Sequence, residues 1–213
     1  MKGRSPTGSL ALPLQRFFCE HLISQKSVSS ATVACYRDTF RLFLRYLQQV
    51  HRISPAAWGL SDFTAPNVLA FLDYLEKERH NKPRTRNTRL SALRAFAGYL
   101  LAFGAVEHAA PLQTILAIPR KRWERPLIGF LSETEIQAVL QAPNPACWTG
   151  RRNRLLFQLL YNTGARVSEM AQLRVADTIQ DQSRTIRFTG KGRKQRILPI
   201  SKKIGRASCR ERV

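Results

Sequence analysis

The stretch LLFQLLYNTGARVSEMAQLRVADT occupies residues 155–178 and decides how the C-terminal half folds. Its apolar residues recur at helical spacing up to Tyr161, which this pattern places in the core. Gly164 then breaks the helix, and a second helix, VSEMAQLR, is predicted after it. Arg166 stands at the head of that helix with Glu169 three residues later, so we expect a buried guanidinium that a carboxylate holds toward an anion. An ordinary surface pair is the alternative at this spacing.

A second motif, TGKGRKQRILPI, follows at residues 189–200. Apolar and polar residues alternate over 185–189 and 195–200, which predicts a β-hairpin with a glycine-rich basic turn. Gly190 and Gly192 let a tight turn present Lys191 forward. The alternative is an ordinary hairpin whose lysines are solvated.

Working outward toward the N-terminus, residues 10–118 show the apolar spacing of four amphipathic helices, with a fifth short helix at 112–118. Ser29 or Ser30 can cap the second helix. We predict a compact helical unit preceded by a disordered leader at residues 1–9. Beyond it, Ser132–Glu135 predicts a helix start, although we expect its capping box to be incomplete.

The fourth predicted helix opens with KPRTRNTRLSALRAF at residues 82–96. Its arginines and one asparagine are expected to lie off the apolar stripe, where they could contact base edges and phosphates in a major groove. Two arginines of the second helix lie four residues apart and share one side. A solvated basic face is the alternative. The candidate DNA-binding residues are Arg84, Arg86, Asn87, Arg89, Arg94, Arg41, Arg45 and, in the basic turn, Lys194.

The charge of the chain supports a polyanionic partner. Its 213 residues carry a formal net charge of +21, which favours nucleic acid or an anionic membrane surface. No apolar run approaches the length of a membrane span, and the N-terminus does not have the pattern of a signal peptide. The four cysteines show no metal-ligand spacing, so we interpret Cys19, Cys35, Cys147 and Cys209 as small buried residues without disulfides or zinc.

The motifs TG-x-R-x-S-E at 163–169 and GKG-x-K-x-R-x-x-P at 190–199 together resemble the tyrosine recombinases of the phage-integrase and Xer type. The segments SSATVACYRDTFRLFLRYL (29–47) and TRNTRLSALRAF (85–96) are similar to two helices of that family's core-binding domain. The resemblance implies a mainly α fold. An N-terminal helical, SAM-like core-binding domain would be followed by the first part of a mixed α+β catalytic domain with a β-hairpin.

The same resemblance implies site-specific DNA recombination or integration through a 3′-phosphotyrosine, without metal or cofactor. Arg166 matches the first catalytic arginine and Glu169 the acidic residue that supports it. Lys191 matches the catalytic lysine, with Lys194 as the competitor for that role. The expected partners are double-stranded DNA and, for the intact protein, three further copies in a homotetramer on two duplexes. No membrane partner is expected, and the expected location is the cytoplasm, at the nucleoid.

The remaining family residues are a His-x-x-Arg pair, a further His or Trp and the nucleophilic tyrosine, all downstream of the hairpin. Every histidine of this chain precedes Arg166, and no tyrosine follows Tyr161. We therefore predict a truncated catalytic domain at 127–202, joined to residues 10–118 by a basic linker at 119–126. We predict that KIGRASCRERV, residues 203–213, is a translated sequencing adapter. The alternatives are a non-catalytic DNA-binding module and an RNA-binding protein, the latter without any RNA-binding signature.

Overall fold

The computed structural model of the protein describes residues 9–52, 54, 57–103, 106–124, 126–179, 185–190, 192 and 194–200. The chain divides after Pro126 into an all-helical N-terminal unit and a C-terminal unit of helices and one small sheet. This confirms the predicted mainly α fold class. The predicted tail at 203–213 and the first eight residues of the predicted leader lie outside the described residues. Within the described part of the chain, no helix is long and apolar enough to cross a membrane.

The described residues of the N-terminal unit form five α-helices. They are α1 (Ala11–Arg16), α2 (Ser30–His51), α3 (Ala65–Lys77), α4 (Pro83–Ala102) and α5 (Ala109–Ala117), with short 3-10 turns at Leu60–Asp62 and Val106–His108. Ser29 caps α2, because its Oγ accepts a hydrogen bond from the Thr32 backbone N–H at 3.3 Å. A proline in the first turn of both α3 and α4 suits a position where no backbone donor is needed.

The core of this unit is built around α4, which packs against α2, α3 and α5. Phe96 of α4 is fully buried and meets Phe17, Phe40 and Phe63 edge to face, with ring centroids 5.2–5.3 Å apart. Aromatic pairs in this geometry contribute beyond the area they bury. Because α4 has packed neighbours on several sides, it buries residues over a wider face than a helix at the edge of the unit would.

The first predicted helix is not regular. The chain continues from α1 into a π-helical segment, Phe17–Gln25. Phe17 and Leu22 are its buried residues, and they are five positions apart. The wider π turn places residues five apart on one side, which explains why both reach the core.

The C-terminal unit contains α6 (Glu133–Gln141), α7 (Trp148–Thr163), α8 (Val167–Ala171), a 3-10 turn (Val175–Asp177) and three short strands. Ser132 caps α6 with a complete capping box. Its Oγ accepts from the Glu135 N–H at 3.3 Å, and its own N–H donates to Glu135 Oε2 at 2.8 Å. The expectation of an incomplete box was wrong, since Ser132 and Glu135 have the S-x-x-E spacing that the box requires.

The strands are β1 (Thr178–Ile179), β2 (Thr185–Thr189) and β3 (Gln195–Pro199), which form an antiparallel sheet in the order β1-β2-β3. The predicted hairpin is confirmed, with Phe188 opposite Arg196 in the β2–β3 register. β1 was not predicted, because two residues are too short to show alternation. Ile186 and Phe188 of β2 pack with Leu159 and Met170 in the core of this unit.

Two interpretations of buried residues were wrong. Tyr161 is 55% exposed, because the inward face of α7 comprises Leu155, Leu156, Leu159 and Leu160 and the next position points away. Cys19 and Cys147 are exposed and Cys35 is half-buried. Cys147 precedes the first turn of α7, where the chain lies at the surface. Cys209 lies outside the described residues.

Candidate functional site

Arg166 lies where α7 turns into α8. Gly164 ends α7 in the left-handed conformation, at φ +58°, which glycine adopts without steric cost. Arg166 is then extended and forms the N-cap of α8. Its side chain is 66% exposed, so the expectation of a buried guanidinium was wrong, and the buried partner is the carboxylate.

Glu169 is that partner, and its side chain is only 3% exposed. Its Oε2 accepts from the Arg166 backbone N–H and its Oε1 accepts from Arg166 Nη1, both at 2.9 Å. The Arg166 backbone N–H, followed by the guanidinium groups of Arg166 and Arg196, holds the pKa of Glu169 below its ordinary value despite burial. The carboxylate is therefore charged at neutral pH and orients Arg166.

Arg196 of β3 completes this arrangement, and sequence reasoning gave it no role. Its Nη2 donates to Glu169 Oε2 at 2.7 Å, and its Nη1 donates to Oε1 at 3.3 Å. Its guanidinium also lies 5.6 Å from the ring centre of Phe188, its cross-strand partner. The spacing of Arg196 after the basic turn was visible in the sequence, but the pairing with Glu169 is a tertiary contact.

Gly190 brings the hairpin close to Glu169. A Cβ at this position would lie 2.8 Å from Glu169 Oε1, so a larger residue could not occupy it without displacing the carboxylate. The Gly190 N–H donates to the Lys194 carbonyl at 2.7 Å and closes the turn. Lys194 is exposed, and Lys191 lies outside the described residues. Gly190 therefore permits both the tight turn and the close approach of the hairpin to the Glu169 carboxylate.

The structure divides the candidate DNA-binding residues of the N-terminal unit into two groups. Arg84, Arg41 and Arg45 are exposed and Arg94 is half-buried. Arg86 and Asn87 are buried and Arg89 is half-buried, so the expectation that all of them lie off the apolar stripe was wrong. The physical reason is the central position of α4, which has packed neighbours on several sides.

These inward side chains have intramolecular partners. Arg86 Nε lies 3.4 Å from Glu76 Oε2 of α3, and the Arg86 side chain is 5% exposed. Arg89 Nη1 donates to the Cys35 carbonyl and to Thr39 Oγ1, both at 3.1 Å. Such contacts join α4 to α2 and α3.

Asn87 holds the start of the predicted linker. Its Nδ2 donates to the Lys121 carbonyl at 2.7 Å, and the Lys121 N–H donates to its Oδ1 at 3.0 Å. Lys121 Nζ also lies 2.6 Å from Glu76 Oε2, and Arg120 Nη2 donates to Ser91 Oγ at 3.2 Å. Residues 120–121 are therefore fixed to the N-terminal unit.

The C-terminal unit also has an open polar cleft of ≈ 580 Å³, and Glu169 is one of the residues that line it. Arg174, Asp177, Arg187 and Gln172 are among the residues that line it. Among the described residues, no three histidine, cysteine or acidic side chains come together as a metal site would require. The candidate site is thus an arginine-rich surface organised by one buried carboxylate.

Two family models match the chain. Residues 15–104 match the N-terminal SAM-like domain of phage integrases, and residues 129–210 match the phage integrase family. The chain is 36% identical to the integrase/recombinase y4rD of Sinorhizobium fredii over 93% of this chain and 70% of that protein. The chain belongs to the phage integrase family of tyrosine recombinases.

Other relatives are longer than this chain. The integrase/recombinase y4rC of the same organism is 39% identical over 91% of this chain, which spans 58% of that protein. The tyrosine recombinase XerD of Pseudomonas putida is 32% identical over 88% of this chain and 59% of its own length. The structure of the XerH recombinase bound to a palindromic difH substrate has the same fold, with a TM-score of 0.60 at 20% identity, over 84% of this chain and 51% of that one.

Proposed function

We propose that these residues form the DNA-binding and arginine-bearing part of a site-specific recombinase that cuts and rejoins DNA. One observation supports this most strongly: the exposed guanidinium of Arg166 is held by the buried carboxylate of Glu169 at 2.9 Å. A phosphodiester under attack gathers negative charge on its non-bridging oxygens. A fixed guanidinium stabilises that charge as it develops.

The proposed reaction is attack of a tyrosine hydroxyl on the phosphorus, which forms a 3′-phosphotyrosine and releases a 5′-hydroxyl. The leaving 5′-oxygen takes a proton from Lys191, with Lys194 as the second candidate for this general acid. No tyrosine follows Tyr161, and the four histidines precede Arg166. The proposal therefore assigns the nucleophile and the histidines of the site to the residues that follow Ile200 in the intact gene product.

The exposed arginines of α2 and α4 are proposed to contact duplex DNA. Arg41, Arg45 and Arg84 are exposed, and the chain has a net charge of +21. Contacts of this kind release counterions, so affinity should fall steeply with salt. The whole protein is proposed to act as a tetramer on two duplexes, in the cytoplasm at the nucleoid.

The cleavage test uses the gene product that continues past Ile200 into a tyrosine. Arg166→Lys keeps the charge but loses the planar fork, so we expect cleavage to fall by roughly two to three orders of magnitude with little loss of DNA affinity. Lys191→Ala should also slow cleavage, and a substrate with sulfur at the bridging 5′ position should restore it, since a thiolate leaves without a proton. Arg166→Ala should show no such rescue.

Two results of that test would change the assignment. Sulfur rescue of Lys194→Ala and not of Lys191→Ala would make Lys194 the acid. Wild-type cleavage by Arg166→Ala would refute the catalytic role of the arginine.

A second candidate is a non-catalytic DNA-binding module derived from an integrase. It shares with the recombinase every residue of this chain. The genomic reading frame separates the two. A frame that continues past Ile200 into H-x-x-R and a tyrosine supports the recombinase, whereas a stop codon there supports the binding module.

A further inference from the structure

The two oxygens of Glu169 are shared evenly between two arginines. Oε1 accepts from Nη1 of both Arg166 and Arg196. Oε2 accepts from the Arg166 backbone N–H and from Arg196 Nη2. One buried negative charge thus joins the head of α8 to β3, with Arg196 as a bidentate partner.

The two arginines differ in what they offer to solvent. Arg166 uses one guanidinium nitrogen on Glu169 in the described contacts, and its side chain is 66% exposed. Arg196 uses two nitrogens on Glu169, packs over Phe188 and is 37% exposed. Arg166 therefore keeps donors for an external anion, while most of the donor capacity of Arg196 faces inward.

We propose that Arg196 is a positioning residue: it holds the Glu169 carboxylate in the one rotation that aims the Arg166 guanidinium at a DNA phosphate. Without Arg196, each oxygen of Glu169 loses a charge-assisted hydrogen bond in a nearly solvent-free position. The carboxylate is then free to turn, and Arg166 loses its fixed direction. This inference rests on the proposed function for the identity of the anion.

Arg196 also couples Arg166 to the basic turn. It lies on β3 opposite Phe188 of β2, and the turn that joins these strands carries Lys191 and Lys194. Gly190, at the base of the turn, leaves room for Glu169 Oε1. The contact between Arg196 and Glu169 therefore fixes the position of Arg166 relative to the β2–β3 hairpin.

The test follows the Nη1–H signal of Arg166, the proton that is donated to Glu169 Oε1, by NMR in the isotopically labelled 213-residue chain, with Arg166→Lys used for assignment. Two quantities are measured: the exchange rate of this proton with water and its shift on titration with inorganic phosphate. The variants are Arg196→Gln and Arg196→Lys. Arg187→Gln is the matched control, since it removes the same charge from the same hairpin at a residue that forms no ion pair with Glu169 in the described contacts.

We expect both Arg196 variants to speed the exchange of the Arg166 proton about tenfold, the change for one lost charge-assisted hydrogen bond. The phosphate concentration at half-shift should rise several-fold, and Arg187→Gln should leave both quantities within twofold. Arg196→Lys keeps the charge and much of the apolar stem over Phe188, so a merely structural role predicts that it behaves like the parent.

Parent-like exchange and phosphate response in Arg196→Lys would overturn the proposal. Loss of the cross-strand contacts between Phe188 and position 196 in both variants would also overturn it, because Arg196 would then be needed only for the hairpin. The readout involves no DNA cleavage. A failure of the gene product that continues past Ile200 to recombine DNA therefore refutes the proposed function and leaves this result standing.

Discussion

Glu169 is the residue on which the C-terminal site depends, because a single carboxylate with a 3% exposed side chain satisfies two guanidinium groups and a backbone N–H. A buried charge is tolerated only where it is paired and hydrogen-bonded. Glu169 meets both conditions within the described residues. The same logic applies to Glu76 in the N-terminal unit, which lies within 3.4 Å of Arg86 and 2.6 Å of Lys121.

The first prediction at this scale concerns pH. The pKa of Glu169 is lowered in the folded protein by the Arg166 backbone N–H and the two guanidinium groups. Its carboxylate therefore stabilises the fold at pH values above about 4.3, and this contribution is lost as the pH falls through the lowered pKa. Glu169→Gln should weaken amide-exchange protection in β2 at pH 7, by an amount that shrinks on acidification. A difference that is the same at every pH would contradict this.

The second prediction separates a buried arginine from an exposed one. Arg86→Ala removes one of the two cationic partners of a mostly buried Glu76, so we expect the free energy of unfolding to fall by about 2 kcal/mol in urea denaturation. Arg84→Ala, two residues away and exposed, should change it by less than about 0.5 kcal/mol.

Gel-shift titrations across salt concentrations should show a larger effect on DNA binding for Arg84→Ala than for Arg86→Ala. Arg84→Ala should lower the salt slope of DNA binding by about one unit if it contacts a phosphate, and Arg86→Ala should leave the slope unchanged once the protein is folded. Equal slopes for the parent and Arg84→Ala would remove Arg84 from the interface.

At the scale of elements, the β2–β3 hairpin is constrained by a close approach. Gly190→Ala would place a Cβ 2.8 Å from Glu169 Oε1. We expect it to destabilise the hairpin by about 1–3 kcal/mol, the usual cost of overpacking. The control is Gly98→Ala in α4, where a Cβ meets nothing within 4 Å and the higher helix propensity of alanine applies. Amide exchange of Phe188 measures the first effect, and that of Ala97 the second.

The second element-scale prediction concerns the predicted linker. Asn87 makes two hydrogen bonds to the backbone of Lys121, at 2.7 and 3.0 Å. Asn87→Ala should release this segment and increase the rate of trypsin cleavage after Lys121 several-fold. Ser91→Ala, which removes one 3.2 Å bond from Arg120, should have a smaller effect. Equal cleavage of all three proteins would mean that the segment is held by other contacts.

At the scale of the whole molecule, two surface properties compete. A net charge of +21 keeps copies of the chain apart. Against it, Leu127, Ile128 and Phe130 are 94–101% exposed at the start of the C-terminal unit, and adjacent exposed apolar residues favour association. The balance between charge repulsion and apolar association can be tested in solution, because charge repulsion weakens with salt.

We therefore expect the chain to self-associate as salt screens its charge. Replacing Leu127, Ile128 and Phe130 by serine should raise the soluble monomer concentration in light scattering without lowering the free energy of unfolding by more than about 0.5 kcal/mol per substitution. The matched control replaces Leu155, Leu156 and Leu160, which are partly buried, and should reduce stability. Unchanged scattering in the first variant would show that another surface drives association.

The sequence by itself determined the amphipathic helices, the hairpin, the helix-ending Gly164 and the spacing of Arg166 and Glu169, because each follows from periodicity or spacing within one helix, turn or hairpin. Only the tertiary structure decided which arginines face inward, since burial of Arg86 depends on α3 and α5 packing around α4. It also brought Arg196 into contact with Glu169 across 27 positions of sequence. Local patterns specify local structure, whereas long-range pairs depend on how the elements pack, and the arginine site combines both.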